Sequence, residues 1–159
     1  MIRKLYTIGY TGTTLESFLG SLIEAGVECL IDTRELPISR KKGFAKTALE
    51  AHLKASGISY RHFKFLGSPR LDRHEVRETG DYVKFFRSVR RHLTLDTAQD
   101  ALRDAIEIAR KNVSCLMCCC EDWTKCHRSC VVEAMTARSH FAVHHLQNSV
   151  TDIRIRKAA

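Results

Sequence analysis

Val113-Ser114-Cys115-Leu116-Met117-Cys118-Cys119 is a mostly apolar run that opens directly onto Cys120-Glu121-Asp122-Trp123-Thr124-Lys125-Cys126-His127-Arg128. A short apolar run of this kind, followed at once by polar residues, reads as a strand buried on both faces that delivers side chains at its carboxyl end. Residues 27–32 repeat the pattern, ending in Asp32, and residues 4–9 begin it, ending in Gly9 and Tyr10. Residues 59–63 and 141–146 complete a set of five predicted strands.

Helical patterns separate them. Thr13-Thr14-Leu15-Glu16 has capping-box spacing before Leu15, Phe18, Leu19, Leu22 and Ile23, and Gly26 ends that helix. Residues 46–56, 81–93 and 126–137 read as further helices. Asp96 through Gln99 is read as the cap of another, whose Ala98, Leu102, Ala105, Ile106 and Ala109 form one apolar stripe. Residues 67–80, with Pro69 and several arginines, read as an irregular connection. Strands alternating with helices predict one three-layer α/β/α domain with a mainly parallel sheet of about five strands. Residues 148–159 read as a basic C-terminal tail.

At 159 residues the chain can bury roughly 70% of its unfolded surface in one core, so no covalent staple is needed. Residues 1–9 go straight into a strand without an export signal, and no window has the apolar length of a membrane helix, so the expectation is a cytoplasmic protein without membrane contact. Seven cysteines, six of them between Cys115 and Cys130, are too crowded for a disulfide scaffold and read as reduced thiols. A net charge of +8 favours acidic partners, nucleotide or nucleic acid among them.

In Cys126-His127-Arg128, cationic side chains stand at the start of a helix, where the macrodipole disfavours them. An anion such as phosphate would remove the conflict, held by Cys126, His127 and Arg128 together with backbone N–H groups. The structural alternative is an ion pair from Arg128 to Glu121 or Asp122. Glu121 after an apolar strand is expected to be partly desolvated, a general acid or base, with Asp32 as its counterpart on a neighbouring strand end; Cys119 is a candidate catalytic thiolate. Two carboxylates facing one pocket suit glycosidic or N-glycosidic hydrolysis; each neutralising an arginine is the alternative. Arg34, Ser39, Arg40, Gly9 and Tyr10 are the remaining candidates for anion or substrate contact. Arg40, Lys41 and Lys42 can track a phosphate backbone with Phe44 stacking on a base, or form a solvated loop.

The cysteines admit three readings. Zinc is disfavoured, because alternation along a strand would turn Cys118 and Cys120 away from Cys119 and no paired Cys-x-x-Cys knuckles occur; no metal or other cofactor is expected. Lys125 lies five residues after Cys120 and would lower a strand-end thiol's pKa, an arrangement loosely similar to a rhodanese active-site loop. Cys29, Cys115 and Cys118 read as buried structural thiols.

Taken together, Thr7-Ile8-Gly9-Tyr10, Ile31-Asp32-Thr33-Arg34 with Pro37, Ser39, Arg40 and Phe44, Leu66-Gly67, and Cys119-Cys120-Glu121 before Cys126-His127-Arg128 resemble the domain of unknown function 488 family over nearly the whole chain. The resemblance implies a compact α/β domain with a polar site built from the Asp-x-Arg, Ser-Arg and Cys-His-Arg motifs, and it carries no settled activity. Tyr10 stands where many relatives have histidine, so a proton-transfer role does not carry over to that position. The expectation is an enzyme acting on a nucleotide or nucleic acid, a phosphate-anchored hydrolase that is base-releasing or cleaves a phosphate ester. A rhodanese-like sulfur transferase using Cys119 or Cys120 and a non-enzymatic basic nucleic-acid-binding module are the alternatives.

Overall fold

The computed structural model describes residues 1–147; the basic tail expected at 148–159 lies outside them. Five parallel strands, β1 (Arg3–Gly9), β2 (Cys29–Asp32), β3 (Ser59–His62), β4 (Ser114–Cys118) and β5 (Phe141–His145), form one sheet in the order β3-β2-β4-β1-β5. The expected parallel sheet is therefore present.

Six α-helices cover it: α1 (Leu15–Glu24), α2 (Lys46–Ala55), α3 (Arg70–Thr79), α4 (Tyr82–His92), α5 (Asp96–Lys111) and α6 (Arg128–Thr136). Strand alternation divides the core into two apolar layers. On one face Tyr6, Ile8, Leu30, Cys115 and Met117 pack with Phe18 and Leu22 of α1 and Leu49 and Leu53 of α2. On the other, Leu5, Cys29, Ile31 and Leu116 pack with α5, with Phe85 and Val89 of α4, and with Cys130, Val131 and Met135 of α6.

Three sequence expectations shift. The helix before β2 is capped by Thr14, whose hydroxyl accepts from Ser17 N, one residue later than the capping-box reading. Asp96 opens α5 without capping it, because Leu95 occupies the N-cap position. Residues 70–79, expected to be irregular, form α3, which lies against α4 and closes with Gly80 at φ 68°. That helix contains no fully buried residue and only Val76 packs on the core, so its apolar stripe is too thin for a pattern search to find.

The site follows from the topology. The connection leaving β2 runs outward to β3, and the one leaving β4 runs the opposite way past β1 to β5. A crevice therefore opens between the carboxyl ends of β2 and β4, where Asp32 lies opposite Met117; in doubly wound sheets this reversal is the usual ligand position. Thr33 N and Oγ1 both donate to Met117 O, holding the two strand ends together. No helix among the described residues is long and apolar enough to cross a membrane.

Candidate functional site

Asp32 ends β2 fully buried, and both of its carboxylate oxygens are occupied. Oδ1 accepts from Arg34 N at 3.0 Å and Arg34 Nε at 2.9 Å, while Oδ2 accepts from Arg34 Nη2 at 2.7 Å and the Tyr60 hydroxyl at 2.6 Å. The remaining guanidinium nitrogen donates to Phe44 O and to the Tyr10 hydroxyl. Burial pulls the Arg34 pKa down, and the hydrogen bonds and charge of Asp32 outweigh it and raise it. Burial, with the adjacent Asp32, raises that of Tyr60. Asp32 and Arg34 thus form a closed ion pair that shapes the loop after β2, the arginine-neutralising alternative read from sequence.

Arg128 follows the same logic at the end of β4. Only 1% exposed, it donates from Nε to Thr7 Oγ1, from Nη1 to Cys120 O and from Nη2 to Glu121 O. The charge at the start of α6 is thus met by strand-exit carbonyls. The first N–H groups of the helix are taken up as well, with Ser129 N on Cys126 O and Cys130 N on His127 O. Arg128 reaches Glu121 through its backbone and not through its carboxylate. Gly9 is required beside this clamp, because a Cβ there would lie 1.8 Å from Cys120 O.

Glu121 is exposed and close to Gly12, so it is not the desolvated acid expected after a strand, and it does not share a pocket with Asp32. Phe44 is fully buried, stacked on Tyr10 with centroids 4.5 Å apart, and cannot stack on a base. Arg40 and Lys42 are exposed in the loop before α2, Ser39 Oγ accepts from Lys41 N, and Lys41 Nζ donates to Tyr10 O.

The crevice floor is made of sulfur and imidazole. β4 ends at Cys118, so strand alternation does not govern Cys119 and Cys120, and the three sulfurs gather within 4.8 Å of one another. This removes the geometric objection raised against a metal. His127 is buried, with Nε2 2.9 Å from Thr33 O and 3.1 Å from Thr33 Oγ1. Since that hydroxyl donates to Met117 O, the network assigns the ring proton to Nε2. Nδ1 then points its lone pair at Cys118 Sγ, 3.7 Å away, and Cys126 Sγ, 3.8 Å away. All seven cysteines are free thiols.

Burial pushes the Cys126 thiol up to about 12. Contacts with Cys119 and Cys126, together with burial, hold Cys118 well above its ordinary value. Cys118 pulls Cys119 down, but Cys120 and burial outweigh it and leave the thiol at about 11. Contact with Cys118 pushes Cys120 up, and contacts with Cys119 and Cys126 outweigh it, so Cys120 alone of the group is lowered. Burial pulls His127 down, whereas the sulfur of Cys118 and the Thr33 carbonyl more than restore it, leaving surroundings that favour positive charge at the ring.

Above this floor is a cleft of about 340 Å³. Tyr10, Arg34 and Cys118–Cys120 form its base, joined by Lys125, Cys126 and His127. Arg73 and Arg77 come from α3, Tyr82 and Phe85 from α4, and Glu35, Leu36 and Ile38 from the loop after β2. Arg73 Nη2 pairs with Glu35 Oε1 at 3.2 Å, and its Nη1 donates to Ser68 O. Lys125 Nζ lies 6.0 Å from the Tyr82 ring centroid. Among the described residues, no carboxylate lies within ion-pair distance of Arg77 or Lys125. Glu35 was missed from sequence because it follows the Asp-x-Arg motif in a loop without periodicity, and Arg77 because its helix was missed.

A family model described as "Domain of unknown function DUF488" matches residues 14–135. No curated protein and no solved structure matches the chain.

Proposed function

The chain belongs to the Domain of unknown function DUF488 family, and from the residues of its cleft we propose that it is a phosphate-anchored hydrolase acting on a nucleotide-type substrate. The observation that carries this reading is one cleft holding two cations without carboxylate partners among the described residues, Arg77 and Lys125, a half-buried carboxylate, Glu35, and an apolar lip. Arg77 and Lys125 receive the phosphate by charge-assisted hydrogen bonds. Leu36, Ile38 and Tyr82 offer the surface a base or sugar needs, with Leu36 and Ile38 exposed before any ligand arrives. Glu35, oriented by Arg73, is the carboxylate within the cleft that takes a proton from the attacking water, a role that neither Asp32 nor Glu121 can perform from its observed position.

Differential scanning fluorimetry against nucleoside monophosphates and inorganic phosphate at low salt tests binding. Wild type should be stabilised and Arg77→Ala much less so. Glu35→Gln should still bind while releasing neither free base nor phosphate. No stabilisation of wild type by any phosphate-bearing ligand contradicts the proposal.

A second reading, sulfur transfer, rests on Cys119 and Cys120, which both line the cleft. It requires a thiolate to take the outer sulfur of thiosulfate, forming a persulfide and releasing sulfite. Mass spectrometry after thiosulfate treatment would show the added sulfur on one of those cysteines if this reading holds, and none if the thiols are otherwise engaged.

A further inference from the structure

Two overlapping groups of ligand-type atoms, joined through Cys118, lie where β4 passes into the turn before α6, and we propose that Cys118, Cys120, Cys126 and His127 bind a single zinc-type ion. The spacing fits. Zinc takes sulfur at about 2.3 Å and imidazole nitrogen at about 2.0–2.1 Å, so a tetrahedral site separates sulfur from nitrogen by about 3.6 Å and sulfur from sulfur by about 3.8 Å. His127 Nδ1 is 3.7 Å from Cys118 Sγ and 3.8 Å from Cys126 Sγ. The sulfurs of Cys118 and Cys126 lie within 4.8 Å of each other and of that nitrogen, and Cys120 contacts both sulfurs. The two groups share Cys118, so binding would bring Cys120 Sγ toward His127 Nδ1 to close the set.

The surroundings match as well. A metal-bound histidine ordinarily donates its other ring N–H to a fixed acceptor, which sets the tautomer, and His127 Nε2 does this to Thr33 O. Arg128 Nη1 lies 3.6 Å from Cys126 Sγ, a donor placed for a thiolate. Binding releases three protons to solvent, one from each thiol. Three thiolates against one divalent ion leave a single negative charge, and the neighbouring Arg128 offsets it. Thiolate and imidazole donors without any carboxylate select zinc over magnesium or calcium.

Other cysteines show by contrast what a purely packing thiol looks like here. Cys29 and Cys115 lie within the two apolar layers and take no part in the convergence. Cys119 packs in part against the α1–α2 layer and is not grouped with Cys126 or His127, so it is left outside the ligand set.

The ion ties the end of β4 to the start of α6 and fixes the cleft floor. It also narrows the sulfur-transfer reading to Cys119, because zinc coordination lowers the nucleophilicity of the Cys120 sulfur. The test begins with wild type, stripped by chelator, confirmed folded by circular dichroism, and titrated with zinc or cobalt alone. One equivalent should bind, cobalt should show thiolate charge-transfer absorption, and X-ray absorption of the zinc form should count three sulfurs at about 2.3 Å and one nitrogen. Zinc should shield Cys118, Cys120 and Cys126 from alkylation while Cys119 reacts.

Cys126→Ser and His127→Ala should weaken metal affinity by about 100-fold or more, since even outer partners of metal ligands cost 10–100-fold. Cys29→Ala and Cys119→Ser should leave it unchanged. If a ligand variant fails to fold, the wild-type stoichiometry, sulfur count and shielding pattern still decide. A folded wild type that binds less than one equivalent of zinc, a count of fewer than three sulfurs, or persulfide formation on Cys120 in the zinc-loaded protein overturns the proposal.

Discussion

Arg34 and Arg128 close the ends of neighbouring strands, whereas Arg77 and Lys125 line the cleft a short distance away, and the two pairs do opposite work. The first pair is 6% and 1% exposed, with donors on Asp32, on backbone carbonyls and on Thr7. The second pair has no carboxylate partner among the described residues. A buried guanidinium with filled acceptors holds a loop in shape. An exposed cation without a carboxylate partner is available to a ligand. The motif arginines that dominate the sequence therefore hold the strand ends in shape, and the less conspicuous cations are the ones proposed to meet a ligand.

Breaking the strand ends should cost most. Arg128→Ala removes the donor shared by Thr7, Cys120 and Glu121 and should lower stability by about 3–5 kcal/mol in urea unfolding, the range for breaking a buried charged network. An Arg128→Ala protein with wild-type stability and no phosphate binding would reverse the assignment. Asp32→Asn, which strands the Arg34 charge, should cost about 3 kcal/mol by the same measurement. Tyr60→Phe removes only one of the donors to Asp32 and should cost about 1–2 kcal/mol.

The cleft residues should behave differently. Glu35→Gln breaks a partly exposed ion pair, so its stability loss should stay under about 1 kcal/mol while turnover of the hydrolysed nucleotide falls by about 100-fold or more. Arg77→Ala should change stability by no more than about 0.5 kcal/mol and weaken phosphate binding by about tenfold or more, read by calorimetry. Equal stability losses for Arg77→Ala and Arg128→Ala would erase the distinction.

The sheet was legible because short apolar runs at 4–9, 27–32 and 113–119 each end in polar or small residues and alternate with helical patterns, as a covered parallel sheet requires. Residues 27–32 and 113–119 were read as strands whose ends would meet, and Asp32 does lie opposite Met117. The helix α3 was not legible: it is strongly polar, no residue of it is fully buried, and only Val76 packs on the core, too thin an apolar face to stand out. Candidate site residues were recognisable as chemistry-bearing types, but their partners were not. Nothing in the order of residues says that Arg128 turns onto the carbonyls of Cys120 and Glu121, or that β4 stops at Cys118 and lets three consecutive sulfurs gather. Those outcomes depend on where a strand ends and which acceptors the fold brings near, which are tertiary facts.

The most direct measurement is calorimetric titration of a nucleoside monophosphate at low salt into wild type and into the double variant Arg77→Ala, Lys125→Ala, with a thermal melt of each. Wild type should bind, and the double variant should melt with wild type while losing about 100-fold in affinity, from two charge-assisted contacts. A double variant that binds as tightly as wild type would contradict the assignment of the cleft cations to the substrate.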